Sequence, residues 1–141
     1  MSDTRPLRVA VIGSGPAGIY ASDALMKSGQ DVSIDLYERM PAPFGLIRYG
    51  VAPDHPRIKG IQKALIKVLD RGDVRLLAKV DFGTDITLED LRGLYDAVIF
   101  STGSFDASAS SSLSQSGATV IAPSLIMTIR SPSRSRTVRR S

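Results

Sequence analysis

The sequence predicts an α/β fold in which a parallel β-sheet forms the middle of three layers, with helices on both faces. Two observations support this prediction: short apolar runs alternate with segments of helical periodicity, and a glycine-rich turn joins the first run to the first helix. Strands that are separated by helices pair in parallel through right-handed crossovers. The alternation ends near residue 103, so the predicted domain is incomplete and a tail follows it.

The first elements of the pattern are a strand, a helix and a second strand. Leu7–Ile12 is a short apolar run rich in β-branched residues, which is typical of a buried strand. A helix is predicted after the glycine-rich turn, up to Ser28. Asp31–Tyr37 alternates between apolar and polar residues, which predicts a strand, and Glu38 stands at its end.

The elements that follow are less regular. Residues 39–56 hold four prolines and two glycines, and no regular element is predicted there. Residues 57–70 form the clearest amphipathic helix, and residues 74–80 form a third strand. Thr87 and Asp90 have capping-box spacing and predict a short helix, and residues 96–102 form a fourth strand.

The excess of positive over negative charge lies at one end of the chain. The 141 residues carry a net charge of +4, but residues 1–103 hold 13 basic and 13 acidic side chains. Residues 104–141 hold five arginines, one aspartate and 12 of the 18 serines. We therefore predict a folded domain over residues 1–107 and a disordered Ser/Arg-rich tail over residues 108–141.

Composition excludes several classes of protein. The chain has no cysteine and one histidine, which excludes a disulfide scaffold, a thiolate metal site and a multi-histidine metal site. No apolar run approaches the roughly 20 residues that span a bilayer. The first residues lack the pattern of a signal peptide, so we expect a cytoplasmic protein.

The glycine-rich turn carries the strongest functional signal. Gly13, Gly15 and Gly18 have the spacing of a dinucleotide-binding fingerprint, between a buried strand and a helix, and Glu38 follows 20 residues after Gly18. The first glycine permits a tight turn, the second admits a pyrophosphate to the backbone, and the third lets the helix pack on the strand. These features predict a Rossmann-like domain. The Glu38 carboxylate repels a 2′-phosphate and favours FAD or NAD over NADP, an argument that the adjacent Arg39 weakens slightly.

Two segments resemble a known family. Residues 9–18, together with Glu38, resemble the N-terminal FAD-binding segment of two-dinucleotide flavoprotein reductases. Residues 41–56, followed by Lys59, resemble the signature of adrenodoxin-reductase-type ferredoxin–NADP reductases, with bacterial members as the expected relatives. The resemblance covers about residues 5–103 and implies an oxidoreductase that passes electrons from NADPH through FAD to a ferredoxin.

The resemblance also implies which residues form the site. The cofactor-binding set is Gly13, Ser14, Gly15, Pro16, Ala17, Gly18, Glu38, Arg39, Gly45, Leu46, Val80, Thr102 and Gly103. Ser101 stands where the family usually has alanine. His55 is a candidate catalytic residue, or it simply caps the helix that follows. Phe44 either packs on the flavin or anchors its loop to the sheet.

The sequence departs from this family after residue 107. A second glycine fingerprint, which would hold NADPH, is not found in the 141 residues. We therefore expect an inactive N-terminal fragment of a reductase. An alternative is a non-catalytic module that binds FAD or NAD. Another is RNA association through the arginines of the tail, which the absence of tail aromatic residues after Phe105 disfavours; we expect no nucleic-acid partner.

Overall fold

The fold is known from a computed structural model, which describes residues 5–49, 56–102, 119–122 and 125–129. The strands are β1 (Leu7–Ile12), β2 (Val32–Glu38), β3 (Val74–Ala78), β4 (Ala97–Phe100), β5 (Thr119–Ala122) and β6 (Leu125–Ile129). The helices are α1 (Pro16–Lys27), α2 (Leu46–Tyr49), α3 (Pro56–Asp70) and α4 (Leu88–Leu94).

Four of the strands form the parallel sheet that the sequence predicts. They lie in the order β3-β2-β1-β4, so the first strand of the chain lies at the centre. Val11 of β1 lies opposite Leu36 of β2 on one side and Ile99 of β4 on the other. This order brings the carboxyl ends of β1, β2 and β4 to one edge of the sheet, where the glycine-rich turn begins. The α/β fold class is confirmed.

Each face of the sheet has its own apolar core because successive side chains of a strand point to opposite faces. One core includes the helix residues Ile19, Leu65 and Val68, and so lies under α1 and α3. The other includes Leu91 of α4, together with Tyr95. Helices therefore cover both faces, as the three-layer prediction requires.

Some element boundaries differ from the prediction. β3 ends at Ala78, so Val80 lies two residues beyond the strand. The Pro- and Gly-rich segment contains a single helical turn, α2, which periodicity did not reveal. The capping box of α4 is present as predicted: the Asp90 backbone N–H donates to Thr87 Oγ1 over 3.2 Å, and the Thr87 N–H donates to an Asp90 carboxylate oxygen over 2.9 Å.

Nine residues of the predicted tail belong to the sheet, which differs from the expectation of a tail without regular structure. β6 pairs antiparallel with β4, and β5 pairs antiparallel with β6. Ile99 of β4 lies opposite Met127 of β6. This pairing supplies partners to backbone groups along the outer side of β4, which would otherwise form an open edge. The other residues from 103 onward lie outside the described part of the chain.

A polar network crosses the sheet face that α4 covers. The Asp35 carboxylate, on β2, is 4% exposed and accepts hydrogen bonds from Arg75 over 2.8 and 2.6 Å and from the Tyr95 hydroxyl over 2.5 Å. The hydroxyls of Tyr95 and Tyr37 are also 2.7 Å apart. Burial by itself raises the pKa of the Asp35 carboxyl, but the bonds from Arg75 and Tyr95 outweigh it and hold that pKa below its usual value.

The substitution Tyr95→Phe is expected to lower the free energy of unfolding by about 1–3 kcal/mol, because it removes a hydrogen bond to a buried charged group. Since the folded pKa of Asp35 lies below its unfolded value, its contribution to stability is lost as the pH falls below about 4. This acid-dependent loss should be smaller in the variant. Urea unfolding of the 141-residue chain at pH 7 and pH 3 measures both effects.

Tyr20→Phe serves as the matched control because Tyr20 is 48% exposed on α1. It should change the free energy of unfolding by less than about 0.5 kcal/mol. Equal stability of the Tyr95→Phe and Tyr20→Phe chains would contradict a stabilising role for the network.

Candidate dinucleotide-binding site

The glycine-rich turn leaves β1 through a backbone conformation that only glycine adopts readily. Gly13 has φ +104°, in the region that side chains disfavour, and its N–H donates to the Tyr37 carbonyl over 2.8 Å. A Cβ at Gly13 would lie 2.6 Å from the Ser101 carbonyl oxygen. The turn and the close approach of β4 thus both require glycine at this position.

The third glycine of the fingerprint lets α1 approach the turn closely. A Cβ at Gly18 would lie 2.6 Å from Ser101 Oγ and closer still to the Gly13 carbonyl oxygen. Gly18 is buried in the first turns of α1. The packing role that the sequence predicts for this residue is therefore present in the fold.

The second glycine has no such structural reason. Gly15 is the N-cap of α1 with φ −69°, a conformation that any residue adopts, and a Cβ there would meet no atom within 4 Å. Pro16 occupies the first turn of the helix, and no acidic side chain lies in that turn. Packing therefore does not require glycine at this position. Glycine is favoured over alanine at an N-cap by about 0.5–1 kcal/mol, and a ligand that approaches the backbone at the start of α1 supplies a second reason for it.

The Pro-rich segment returns to lie against the turn. The Phe44 N–H donates to the Ser14 carbonyl over 2.9 Å, and a Cβ at Gly45 would lie 3.5 Å from Gly15 Cα. Phe44 has φ +89°, a strained conformation for an aromatic residue, and is 3% exposed within the core under α1 and α3. Of its two predicted roles, the structure shows that Phe44 anchors the loop to the sheet.

Glu38, at the end of β2, contacts the same glycine-rich turn. It is 8% exposed, and its carboxylate accepts hydrogen bonds from the Ser14 N–H over 3.1 Å, from the Ser14 hydroxyl, and from the Met40 N–H over 2.8 Å. The Val80 N–H donates to the Glu38 carbonyl over 3.0 Å. The structure thus brings together Ser14, Glu38 and Val80, which lie far apart in the sequence.

For the other residues of the predicted cofactor-binding set, the structure shows their exposure or their position in the chain. Ala17 and Arg39 are exposed, and Thr102 is exposed just after β4. Leu46 begins α2. His55 and Gly103 lie outside the described residues, so their predicted roles are not tested by the structure.

Ser101 has a larger structural role than the sequence predicts. It is 5% exposed, and its hydroxyl lies 3.1 Å from the Ile12 carbonyl oxygen and 2.9 Å from the Gly13 carbonyl oxygen. Its N–H also donates to the Ile12 carbonyl over 2.8 Å. The signal in the sequence that could have indicated this role is a polar residue at position 101, where the family usually has alanine. Ser101 ties the end of β4 to the glycine-rich turn.

Neither a cluster of metal ligands nor a membrane-spanning helix is found in the described ranges. Among these residues, no group of three or more His, Cys, Asp or Glu side chains is placed to hold a metal ion. None of the described helices has the length and apolar character needed to cross a membrane.

Comparison with curated proteins gives clear relatives. The probable mitochondrial NADPH:adrenodoxin oxidoreductase of Schizosaccharomyces pombe is 42% identical over 95 residues, which are 67% of this chain and 20% of that protein. The human mitochondrial NADPH:adrenodoxin oxidoreductase is 41% identical over 99 residues, 70% of this chain and 20% of that protein. NADPH-ferredoxin reductase FprA of Mycobacterium tuberculosis is 38% identical over 104 residues, 70% of this chain and 23% of that protein.

The chain belongs to the adrenodoxin-reductase-type ferredoxin–NADP reductase family. It spans about a fifth of the length of the curated relatives that it matches. No protein-family model matches the sequence. The relatives of this reductase family include both mitochondrial and bacterial proteins by name, so the cytoplasmic location expected from the sequence stays a prediction.

Solved structures of the reductase family agree with the fold. The structure of Mycobacterium tuberculosis FprA in complex with NADPH superposes with a TM-score of 0.66 at 38% sequence identity. The match covers 70% of this chain and 23% of that chain. A second structure of the same oxidoreductase, which reveals a covalent modification of NADP+, gives the same values.

Proposed function

We propose that this chain binds FAD through the adenosine diphosphate half of the cofactor, at the start of α1, as part of an NADPH–ferredoxin reductase. The observation that carries the proposal is the open space at Gly15, since a glycine that the fold does not require stands at the start of α1. Membership of the reductase family supports the same cofactor.

The residues present fit a diphosphate. The backbone N–H groups at the start of α1 and the positive end of the helix dipole attract anionic oxygens. The Pro-rich segment passes beside Gly15, because a Cβ on Gly45 would lie 3.5 Å from Gly15 Cα. When bound, FAD supplies the redox chemistry, in which the flavin accepts a hydride and releases electrons singly. The protein binds and orients it.

Glu38 selects among dinucleotides. Its carboxylate lies at the end of β2 and accepts from a hydroxyl of the adenosine ribose, whereas a 2′-phosphate would be repelled. In this proposal FAD therefore occupies the site formed by the fingerprint glycines, and NADPH is the electron donor at a separate site. The names of the relatives, which refer to NADPH and to adrenodoxin or ferredoxin, support these partners.

An acidic ferredoxin would dock by complementary charge. Arg48 and Arg57 are exposed on α2 and α3, close in sequence to the segment that contacts the glycine-rich turn. The guanidinium of Arg48 also lies 5.2 Å from the centre of the Phe44 ring. His55, in the same segment of the sequence, is proposed to handle a proton near the flavin.

A non-catalytic FAD- or NAD-binding module is the second candidate. It is favoured by the sequence, in which one glycine fingerprint is found. The two candidates differ in one observation: in the chain loaded with FAD, addition of NADPH bleaches the flavin band only if a nicotinamide site is present.

The substitution Glu38→Ala is expected to weaken FAD binding about 10- to 100-fold, because it removes hydrogen bonds between a charged acceptor and the ribose. Calorimetric titration of the 141-residue chain with FAD measures the change. Glu89→Ala is the matched control, since Glu89 is an exposed carboxylate in the first turn of α4. The proposal fails if both variants bind FAD as the unmodified chain does.

A further inference from the structure

Ser14 connects three segments of the proposed site through all of its polar groups. It is 0% exposed, whereas Pro16 is partly exposed and Ala17 is exposed. Its N–H and its hydroxyl both donate to one oxygen of Glu38, Oε2, and its carbonyl accepts from the Phe44 N–H. The fingerprint spacing itself does not specify a hydroxyl at this position.

The hydrogen bonds of Glu38 leave a defined acceptor for a ligand. A carboxylate has about four lone-pair positions. Two donors from Ser14 occupy Oε2, and the Met40 N–H occupies one position of Oε1. The remaining position lies on Oε1. Without the Ser14 hydroxyl, Oε2 would regain an acceptor position, and the carboxylate would lose a bond that fixes its orientation.

Resting on the function proposed above, we infer that Ser14 is a positioning residue for recognition of the adenosine ribose. Its hydroxyl holds the Glu38 carboxylate so that Oε1 meets the 2′-hydroxyl of the ligand. Ser14 itself touches Glu38 and the Pro-rich segment. Discrimination between a ribose and a 2′-deoxyribose at this position therefore depends on Ser14 as well as on Glu38.

Binding of ADP and of 2′-deoxy-ADP to the 141-residue chain tests this inference. ADP carries the part of FAD that the site recognises, and the deoxy ligand lacks the hydroxyl in question. The unmodified chain should bind ADP about tenfold more tightly than 2′-deoxy-ADP. This ratio is the contribution expected of one hydrogen bond to a charged acceptor. In Ser14→Ala the ratio should fall below about threefold, mainly through weaker binding of ADP.

A purely structural role of Ser14 would lower the affinity for both ligands and leave their ratio unchanged, which would overturn the inference. Ser22→Ala is the matched control, because Ser22 is also a 0% exposed serine, and its hydroxyl donates only within α1, to the Gly18 carbonyl over 2.8 Å. Its ratio should equal that of the unmodified chain. Ser14→Cys, which keeps the packing but is a weak donor, is measured alongside Ser14→Ala and should show the same loss.

A double-mutant cycle with Glu38→Gln shows whether Ser14 acts through Glu38. The chain with both Ser14→Ala and Glu38→Gln should bind ADP about as well as Glu38→Gln alone, whereas additive losses would overturn the inference. The proposed function fails separately: in that case the unmodified chain binds neither FAD nor ADP. If the unmodified chain binds FAD and ADP, and Ser14→Ala still binds ADP about tenfold more tightly than 2′-deoxy-ADP, only the role of Ser14 is refuted.

Discussion

The substitution Gly18→Ala is expected to lower the free energy of unfolding by about 2–4 kcal/mol and to abolish FAD binding. The added Cβ would lie 2.6 Å from Ser101 Oγ and closer still to the carbonyl oxygen of Gly13. That carbonyl is held in turn by the Ser101 hydroxyl, 2.9 Å away. Relief of the clash must therefore move α1 away from the turn, which changes both the packing and the site.

Thermal unfolding and a titration with FAD measure the two effects. Gly60→Ala is the control, since Gly60 lies within α3 and a Cβ there would meet no atom within 4 Å. Alanine should stabilise this helix by about 0.5–1 kcal/mol. A Gly18→Ala chain that melts and binds FAD like the unmodified chain would show that the described packing of α1 is wrong.

The substitution Gly15→Ala should have the opposite profile: FAD binding weakened at least about 30-fold and stability lowered by no more than about 1 kcal/mol, the cost of alanine in place of glycine at an N-cap. Gly15 has φ −69°, which alanine adopts without strain, and a Cβ there would meet no atom within 4 Å. The methyl group would instead occupy the space through which the pyrophosphate reaches the backbone.

The same two measurements decide the outcome for Gly15. If Gly15→Ala binds FAD normally, the ligand does not approach the start of α1, and the site proposed here is wrong. If Gly15→Ala unfolds at a much lower temperature, the fold requires glycine at this position. The open space at Gly15 then no longer supports the proposed function. Comparison with Gly18→Ala separates a glycine needed for packing from a glycine needed for a ligand.

The sequence predicted the centre of the fold well because local patterns determine it. Each glycine of the fingerprint was assigned a distinct role, and the structural roles of Gly13 and Gly18 are visible in the contacts of Ser101. The position of Glu38 at the end of β2 followed from the alternating pattern of that strand. The sequence signals for these features, the glycine spacing and the alternating pattern of β2, lie within one strand–helix–strand unit, although the contacts themselves reach Ser101, directly after β4.

Features that depend on distant contacts were not predicted. The bonds from Ser101 to the glycine-rich turn join residues 88 and 89 positions apart, and a buried serine has no periodic signature. The positive φ of Phe44 is imposed by the packing of its ring in the core and by its bond to Ser14.

The two strands beyond residue 118 were missed for a related reason. Their apolar run contains Pro123, which argues against a single strand. The structure instead has one strand that ends at Ala122 and another that begins at Leu125. β6 pairs with β4 and β5 pairs with β6, and the composition of the tail does not reveal these pairings.

Titration of the unmodified 141-residue chain with FAD and with FMN shows whether the start of α1 binds the adenosine diphosphate half of FAD. FMN contains the flavin but lacks the adenosine half that the start of α1 and Glu38 are proposed to hold. We expect saturable binding of FAD, displacement of FAD by ADP, and no measurable binding of FMN. Equal binding of FAD and FMN, or no binding of FAD, would contradict the proposed function.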